Sequence, residues 1–255
     1  MLTEKSKRSS YRFDPSRYEV DAYRNLGGSL VSDRELSDIV QSLNIEPGSL
    51  VLDVGMGPGR VMRRLAAMNA VLVGIDADAR MVRHFARLKS TVRTFDQDDT
   101  HLIVASAEYL PFRESVFEGV VCIRVLRYLG QPRKAIWEMC HVLGPNGRLV
   151  LEFANLFRPQ TIIQIPGFIL KGSVYPRVFT RRTVFDWVAG NGILIQRFRG
   201  WHRIPVEIMG AVKWATLVRI LTHFDWAFEK IFPPEFMSRS LVLSGAKNAH
   251  RATAS

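Results

Sequence analysis

The stretch Val51-Leu52-Asp53-Val54-Gly55-Met56-Gly57-Pro58-Gly59-Arg60 decides the fold of this 255-residue chain. An apolar run ends in an acid, glycine then falls at every second position, and a helix-forming segment follows. Such an order describes a strand feeding a tight loop at the edge of a parallel sheet. Glycine there permits backbone angles closed to other residues and leaves no side chain between the main chain and a ligand. A second apolar run, Val71-Leu72-Val73-Gly74-Ile75, ends in Asp76. An acid at the tip of the second strand, about 20 residues after the first, is placed to grip both hydroxyls of a ribose. Together the two runs predict a nucleoside-containing cofactor across the strand tips.

Small differences narrow the nucleoside. The dinucleotide fingerprint places its third glycine three positions after the second, but here the spacing is Gly55-x-Gly57-x-Gly59 and Arg60 stands in that place. Asp53 opens the loop with a negative charge that repels a pyrophosphate and attracts an ammonium. S-adenosyl-L-methionine has an ammonium, a sulfonium and a ribose, and no phosphate. Further blocks follow in order: Ala105-Ser106-Ala107-Glu108-Tyr109-Leu110-Pro111-Phe112, Phe117-Glu118-Gly119-Val120-Val121-Cys122, Ala135 to Leu143, and Gly144-Pro145-Asn146-Gly147-Arg148-Leu149-Val150-Leu151. In order and spacing the chain resembles the class I S-adenosylmethionine-dependent methyltransferases over roughly residues 48–155, and within them the group with a D-A-x-x-L-P-F block. That group is similar to quinone-biosynthesis and natural-product methyltransferases.

The resemblance implies S-adenosyl-L-methionine as cofactor. It implies Asp53, Gly55, Gly57 and Gly59 around the methionine end, Asp76 with Ala77 at the ribose, Ser106 and Ala107 at the adenine, and the Cys122 backbone near the ammonium. Met81 is a further candidate for the adenine face, although methionine at helical spacing is more often core. Ser106 replaces the family's usual acid, leaving a neutral acceptor without charge assistance. Glu118, Gly144 and Asn146 also depart from the pattern; Asn tolerates left-handed angles, so the turn at Asn146 is expected to survive. Arg127-Tyr128 stands where many relatives carry a histidine pair.

Formal charge is +11 and unevenly spread: residues 156–255 hold 14 basic against 5 acidic residues. A basic half reads either as a surface for nucleic acid, anionic lipid or an acidic substrate, or as diffuse solubilising charge. Both cysteines, Cys122 and Cys140, fall at predicted core positions. Met1–Ser10 is polar and basic, without the apolar stretch of a secretory leader. No metal-ligand spacing appears among the six histidines. The Ile204–Leu221 segment carries Glu207, Lys213 and Arg219, too many charges for a bilayer span. A cytoplasmic protein, in peripheral contact with membrane at most, is expected.

Alternating strands and helices predict an α/β fold: a doubly wound, seven-stranded, mostly parallel Rossmann-like sheet with helical cap insertions. The predicted strands are Leu50–Val54, Val71–Ile75, Leu102–Ala105, Gly119–Ile123, Arg148–Phe153, Ile193–Arg199 and a reversed Ser240–Gly245. Helices are expected at 60–68, 79–88, 132–143 and 183–190. Another is expected at 32–43, with Ser32 and Glu35 as a capping box. Residues 1–46 read as an N-terminal lid segment, 47–155 as the cofactor-binding core, and 156–255 as completion of the sheet. Apolar insertions at 156–182 and 200–237 read as a cap over the site or as a satellite core. Within the second, Ile208, Val212, Leu217, Ile220 and Leu221 share one helical face, with Lys213 and Arg219 on the same segment. Such a helix suits an anionic membrane surface or the roof of an amphiphile pocket.

Candidate bases for proton removal are His202, Tyr18, Tyr23 and Glu152; His202 is preferred for its ordinary pKa. Arg124 and Arg127 read either as clamps for an anionic substrate group or as surface arginines. The favoured function is methyl transfer to a small-molecule or lipid-like acceptor. An RNA methyltransferase ranks second: the charge favours it, but no N-P-P-Y-type tetrad stands at Cys122-Ile123-Arg124-Val125. A non-catalytic interaction protein on the same scaffold is third. Oligomeric state is not legible.

Overall fold

The computed structural model describes residues 14–16, 26–90, 99–158, 177–201 and 215–249. The strands are β1 (Leu50–Val54), β2 (Val71–Asp76), β3 (Thr100–Val104), β4 (Phe117–Cys122), β5 (Leu143–Ala154), β6 (Ile193–Trp201) and β7 (Ser240–Lys247). The helices are α1 (Leu26–Leu43), α2 (Arg60–Ala66), α3 (Ala79–Lys89), α4 (Pro132–Val142), α5 (Arg181–Gly190) and α6 (Ala215–Ile231). All seven strands form one sheet in the order β3-β2-β1-β4-β5-β7-β6. β7 is antiparallel to both its neighbours, so six strands share one direction, as expected from the sequence. β1 pairs in parallel with β2 on one side and β4 on the other, opposing Asp53 to Gly74 and to Val121. The winding reverses between β1 and β4, and the carboxyl ends of these strands form the crevice where such sheets bind ligands.

The central strands are apolar throughout because helices cover both faces. Successive side chains point to opposite faces. Leu52, Val54, Val120, Cys122 and Leu151 therefore join Ile136 and Met139 of α4 and Val188 of α5 in one core. Val51, Leu72, Val121 and Val150 join Ile39 of α1, Leu65 of α2 and Phe85 of α3 in the other. Each such side chain, fully buried, stabilises the fold by about 1.5–3 kcal/mol. The Lys247 ammonium donates to the carbonyls of Cys140 and Leu143 at 3.0 and 2.6 Å, satisfying acceptors at the end of α4. Both cysteines are free and buried; burial pushes the Cys140 thiol up to about 12 and raises that of Cys122 as well. Neither is a reactive thiol.

Three local expectations are corrected. α1 begins at Leu26, so Ser32 and Glu35 lie inside the helix and form no capping box. Packing against the sheet carries the helix through Gly27 and Gly28 against their low propensity. β5 begins at Leu143, pairing with Phe117, before the turn expected to precede it. β3 begins at Thr100. Asn146 does adopt the left-handed conformation, at φ 60°.

Much of the anticipated cap lies outside the described residues: 159–176 and 202–214, with His202, Lys213, Ile208 and Val212. So do Tyr18 and Tyr23, and the side chain of Arg219. In the described part, α6 packs on α1, and Val218 of α6 is buried. Leu217 and Ile220, expected on an apolar face, point outward. No helix among the described residues is long and apolar enough to cross a membrane.

Candidate cofactor site

The loop between β1 and α2 is held by backbone bonds to the tip of β2. The N–H groups of Gly55 and Met56 both donate to the Ile75 carbonyl at 2.8 Å. The Gly57 N–H donates to Asp76 Oδ2 at 2.9 Å, and the Asp78 N–H to Asp76 Oδ1 at 2.8 Å. Asp76 thus ties the glycine loop to the start of α3. Each carboxylate oxygen accepts one of these backbone bonds and keeps further acceptor capacity for a pair of hydroxyls. Burial raises the Asp76 carboxyl above its ordinary value, opposed by the N–H bonds from Asp78 and Gly57.

Two glycines are required for different reasons. Gly59 sits at φ 85°, and a Cβ there would lie 2.1 Å from the ring of Phe85, so loop and α3 touch backbone to side chain. Gly57, at φ 54°, would carry its Cβ into open space. A side chain at Gly57 would fill room beside the exposed loop backbone, and that room suits a ligand.

Asp53 lies beneath this loop and is only 2% exposed. Its Oδ2 has no hydrogen-bond partner. Burial, reinforced by the Asp76 carboxylate and partly offset by Arg60, pushes the Asp53 carboxyl up to about 7. An orphaned buried carboxylate oxygen is costly, and an ammonium at this point would satisfy it with a charge-assisted bond. A pyrophosphate would face two acids. The donor set therefore fits the ammonium and ribose of S-adenosyl-L-methionine.

Ser106 follows the exit of β3, where the Ala105 N–H donates to the Asp76 carbonyl at 3.1 Å. That bond places Ser106 at the same edge as Asp76. Its hydroxyl accepts from the Glu108 N–H at 3.2 Å. Ala107 is buried in the adjoining core, Ala77 is exposed at the rim, and Cys122 ends β4 with its thiol fully buried. Met81 is buried. Among the described residues no cluster of His, Cys, Asp or Glu has the makings of a metal site.

A polar cluster beside the loop was not foreseen. Glu35 of α1, buried at 2% exposure, bonds two guanidinium groups, Arg60 and Arg124, at 2.7 Å each. Arg60 also donates to Ser32 Oγ at 3.0 Å. Arg124 is held at φ 65°, and its N–H donates to Glu152 Oε2 at 2.8 Å. Arg127 donates to Glu152 Oε1 at 2.6 Å and to Ser240 Oγ at 3.3 Å. Arg124 and Arg127 are thus engaged by buried acids of this chain, not held out as open clamps. Glu152, read as a candidate base, anchors the exit of β4. The one sequence signal was Arg60 itself: a cation in the first turn of a helix opposes the helix dipole and calls for an acidic partner.

Residues 52–151 match the family described as Methyltransferase domain. That match spans under half of the chain, and its residues carry Asp53 and Asp76 on the parallel core of the seven-stranded sheet. The chain is similar to the ubiquinone/menaquinone biosynthesis C-methyltransferase of Wigglesworthia glossinidia brevipalpis, with 26% identity over 162 residues, covering 60% of this chain and 63% of that protein. It is similar to the tRNA U34 carboxymethyltransferase of Klebsiella pneumoniae, with 29% identity over 137 residues, covering 53% and 40%. The chain thus spans about half the length of the curated relatives it matches. Its fold is that of the magnesium protoporphyrin IX methyltransferase of Synechocystis PCC 6803, solved with bound S-adenosylmethionine, at TM-score 0.62, 16% identity, and 97% and 99% coverage.

Proposed function

We propose that this chain transfers a methyl group from S-adenosyl-L-methionine to a small-molecule or lipid-like acceptor. The observation that carries it is the unpartnered, buried Asp53 oxygen beside Asp76 at the switch point of the sheet. Asp53 would hold the ammonium, Asp76 the ribose hydroxyls, and Ser106 with Ala107 the adenine edge, with Ala77 and the Cys122 backbone lining the approach. When bound, the cofactor supplies an electrophilic methyl on a sulfonium, whose thioether leaves without an acid. The protein's part is alignment and exclusion of water, with removal of one proton if the acceptor is an O–H or N–H. His202 is the base we propose; it follows Trp201, the last residue of β6, and β6 ends at the cofactor edge.

Support for a small-molecule acceptor comes from the quinone-biosynthesis relative and from the apolar composition of the segments that follow β5 and β6 in the sequence. The test is calorimetry with S-adenosylhomocysteine on the parent, Asp53→Asn and Asp76→Ala proteins, followed by radiolabelled methyl transfer to demethylated quinols, other amphiphiles and bulk tRNA. Binding lost in both variants and label in the amphiphile support the proposal. Label in tRNA alone would replace it with the RNA reading, which the net charge and the Klebsiella relative favour. Binding without transfer to any acceptor would leave an interaction protein.

A further inference from the structure

We propose that Arg127 is a specificity residue for the acceptor, its guanidinium Nε–H donating to an anionic oxygen of the molecule to be methylated. Arg127 lies in the short turn Leu126–Tyr128 that follows β4. Its side chain is 11% exposed, and its Nη2 donates to Glu152 Oε1 at 2.6 Å and to Ser240 Oγ at 3.3 Å. Nε is buried and has no hydrogen-bond partner. Nε and Nη2 form the side-on edge of the guanidinium, which can grip a carboxylate with two parallel bonds. Glu152 takes one of the two because its other oxygen is claimed: Oε2 accepts the Arg124 N–H at 2.8 Å. Arg124 reaches it from the left-handed conformation, at φ 65°. The Arg127–Glu152 pair is thus one bond short of bidentate, and a buried cationic donor is left over. Such a donor without a partner is costly, and an anionic oxygen satisfies it with a charge-assisted bond.

The place of this donor in the sheet fits an acceptor. Val51 and Val150 pack with Ile39 on the face covered by α1. Strand alternation sends Asp53 and Glu152, two residues further along, to that same face. Asp53 opposes Val121, and Val121 opposes Val150. Glu152 is therefore two strands from Asp53 and two residues nearer the carboxyl edge, roughly 12 Å away by strand spacing and rise. In the proposed function Asp76 takes the ribose at β2 and Asp53 the ammonium at β1. The nucleoside half of the cofactor then runs towards β2, and the ends of β4 and β5, where Arg127 stands, are left to the acceptor.

The neighbouring cations are not equivalent. Arg124 and Arg60 direct their guanidinium groups to Glu35. Arg177, exposed, meets Arg127 through its backbone, the N–H donating to the Arg127 carbonyl at 3.0 Å. A lysine at position 127 would keep a counter-charge for Glu152. It lacks the planar fork that holds Glu152 with one N–H and presents a second beside it.

The assignment rests on the proposed function and names the kind of acceptor, yet it is tested apart from it. Calorimetry at pH ~8, with and without S-adenosylhomocysteine, compares benzoate with benzyl alcohol and 4-nitrophenolate with 4-nitroanisole. The first pair offers a carboxylate, the second a phenolate. The parent should prefer an anion over its neutral counterpart by about tenfold or more, as one charge-assisted bond allows; the pair that shows it names the oxygen. Arg127→Lys should abolish that preference while S-adenosylhomocysteine affinity stays at the parent value, and Arg177→Gln should leave the preference intact. In the parent labelled with 15N-arginine, one enclosed Nε–H resonance should move with the anion and not with the neutral partner, a readout that needs no variant to fold. No anion preference in the parent overturns the assignment, as does a preference that Arg127→Lys keeps or an Nε–H spectrum that the anion leaves unmoved. Equal loss in Arg177→Gln overturns it in favour of diffuse charge. Anion preference through Arg127 without methyl transfer to any acceptor supports the anion site and counts against the proposed function.

Discussion

Cofactor affinity should depend on pH through Asp53. The isolated carboxyl loses its proton near 3.8, whereas in the fold it holds it to about 7. Keeping it charged costs the empty protein about 4 kcal/mol, at 1.36 kcal/mol for each tenfold displacement of the proton equilibrium. The sign follows from proton counting: between pH 4 and 7 the folded chain binds more protons than the unfolded one. Stability from this group is therefore greatest below about pH 4, falls as pH rises to about 7, and is level above. An ammonium in contact with Asp53 binds only the charged form. Affinity for S-adenosylhomocysteine should then rise about tenfold per pH unit up to pH ~7 and level off above it. Titration calorimetry from pH 5.5 to 8.5, in two buffers of different ionisation enthalpy, reads both the slope and the proton released on binding. Asp53→Asn should bind roughly tenfold to 150-fold more weakly at pH 7.5, the loss of one charge-assisted bond of about 1.5–3 kcal/mol. It should also lose most of the slope below pH 7. A parent protein with flat affinity from pH 5.5 to 7.5, or an Asp53→Asn variant that keeps the full slope, would refute the assignment of the ammonium to Asp53.

Three further outcomes are expected. Asp76→Ala loses two charge-assisted ribose bonds of about 1.5–3 kcal/mol each, and also releases the Gly57 and Asp78 N–H groups; unchanged affinity by calorimetry would contradict the ribose role. Ser106→Asp should bind the cofactor at least as tightly as the parent, since a charged acceptor replaces a neutral one; a large loss would place the adenine amino group elsewhere. Glu35→Ala removes the buried carboxylate shared by two partly buried guanidinium groups and should destabilise the fold by about 3–5 kcal/mol, read by urea denaturation; a loss under 1 kcal/mol would mean that this carboxylate does not hold helix, loop and strand exit together.

What was legible in the sequence was whatever is carried by contiguous residues. The runs ending in Asp53 and Asp76 disclosed strand, loop and ligand end together, since apolarity, glycine and a terminal acid occur within one short window. Contacts between distant residues were not legible. Ser32 and Glu35 have the spacing of a helix cap, but the same spacing puts them on one side of a longer helix, and only the fold brings Arg124 against Glu35, 89 residues away. Arg127 looked available because nothing local shows that Glu152 will lie beside it. The first pair arises from the packing of α1 beside the exit of β4, the second from the crossover between β4 and β5, and no local pattern records either.

The Glu35 node bears on how this scaffold can be taken apart. The matched domain begins at residue 52, which invites excision or grafting from that point. Yet one carboxylate of α1 neutralises a cation from the glycine loop and another from the exit of β4. A chimera that imports a new α1 without an acid at this position inherits two partly buried guanidinium groups that have lost the carboxylate they share. Helix, loop and strand exit are therefore one exchangeable cassette despite their separation along the chain, and recombination libraries should place their junctions so that all three come from the same parent.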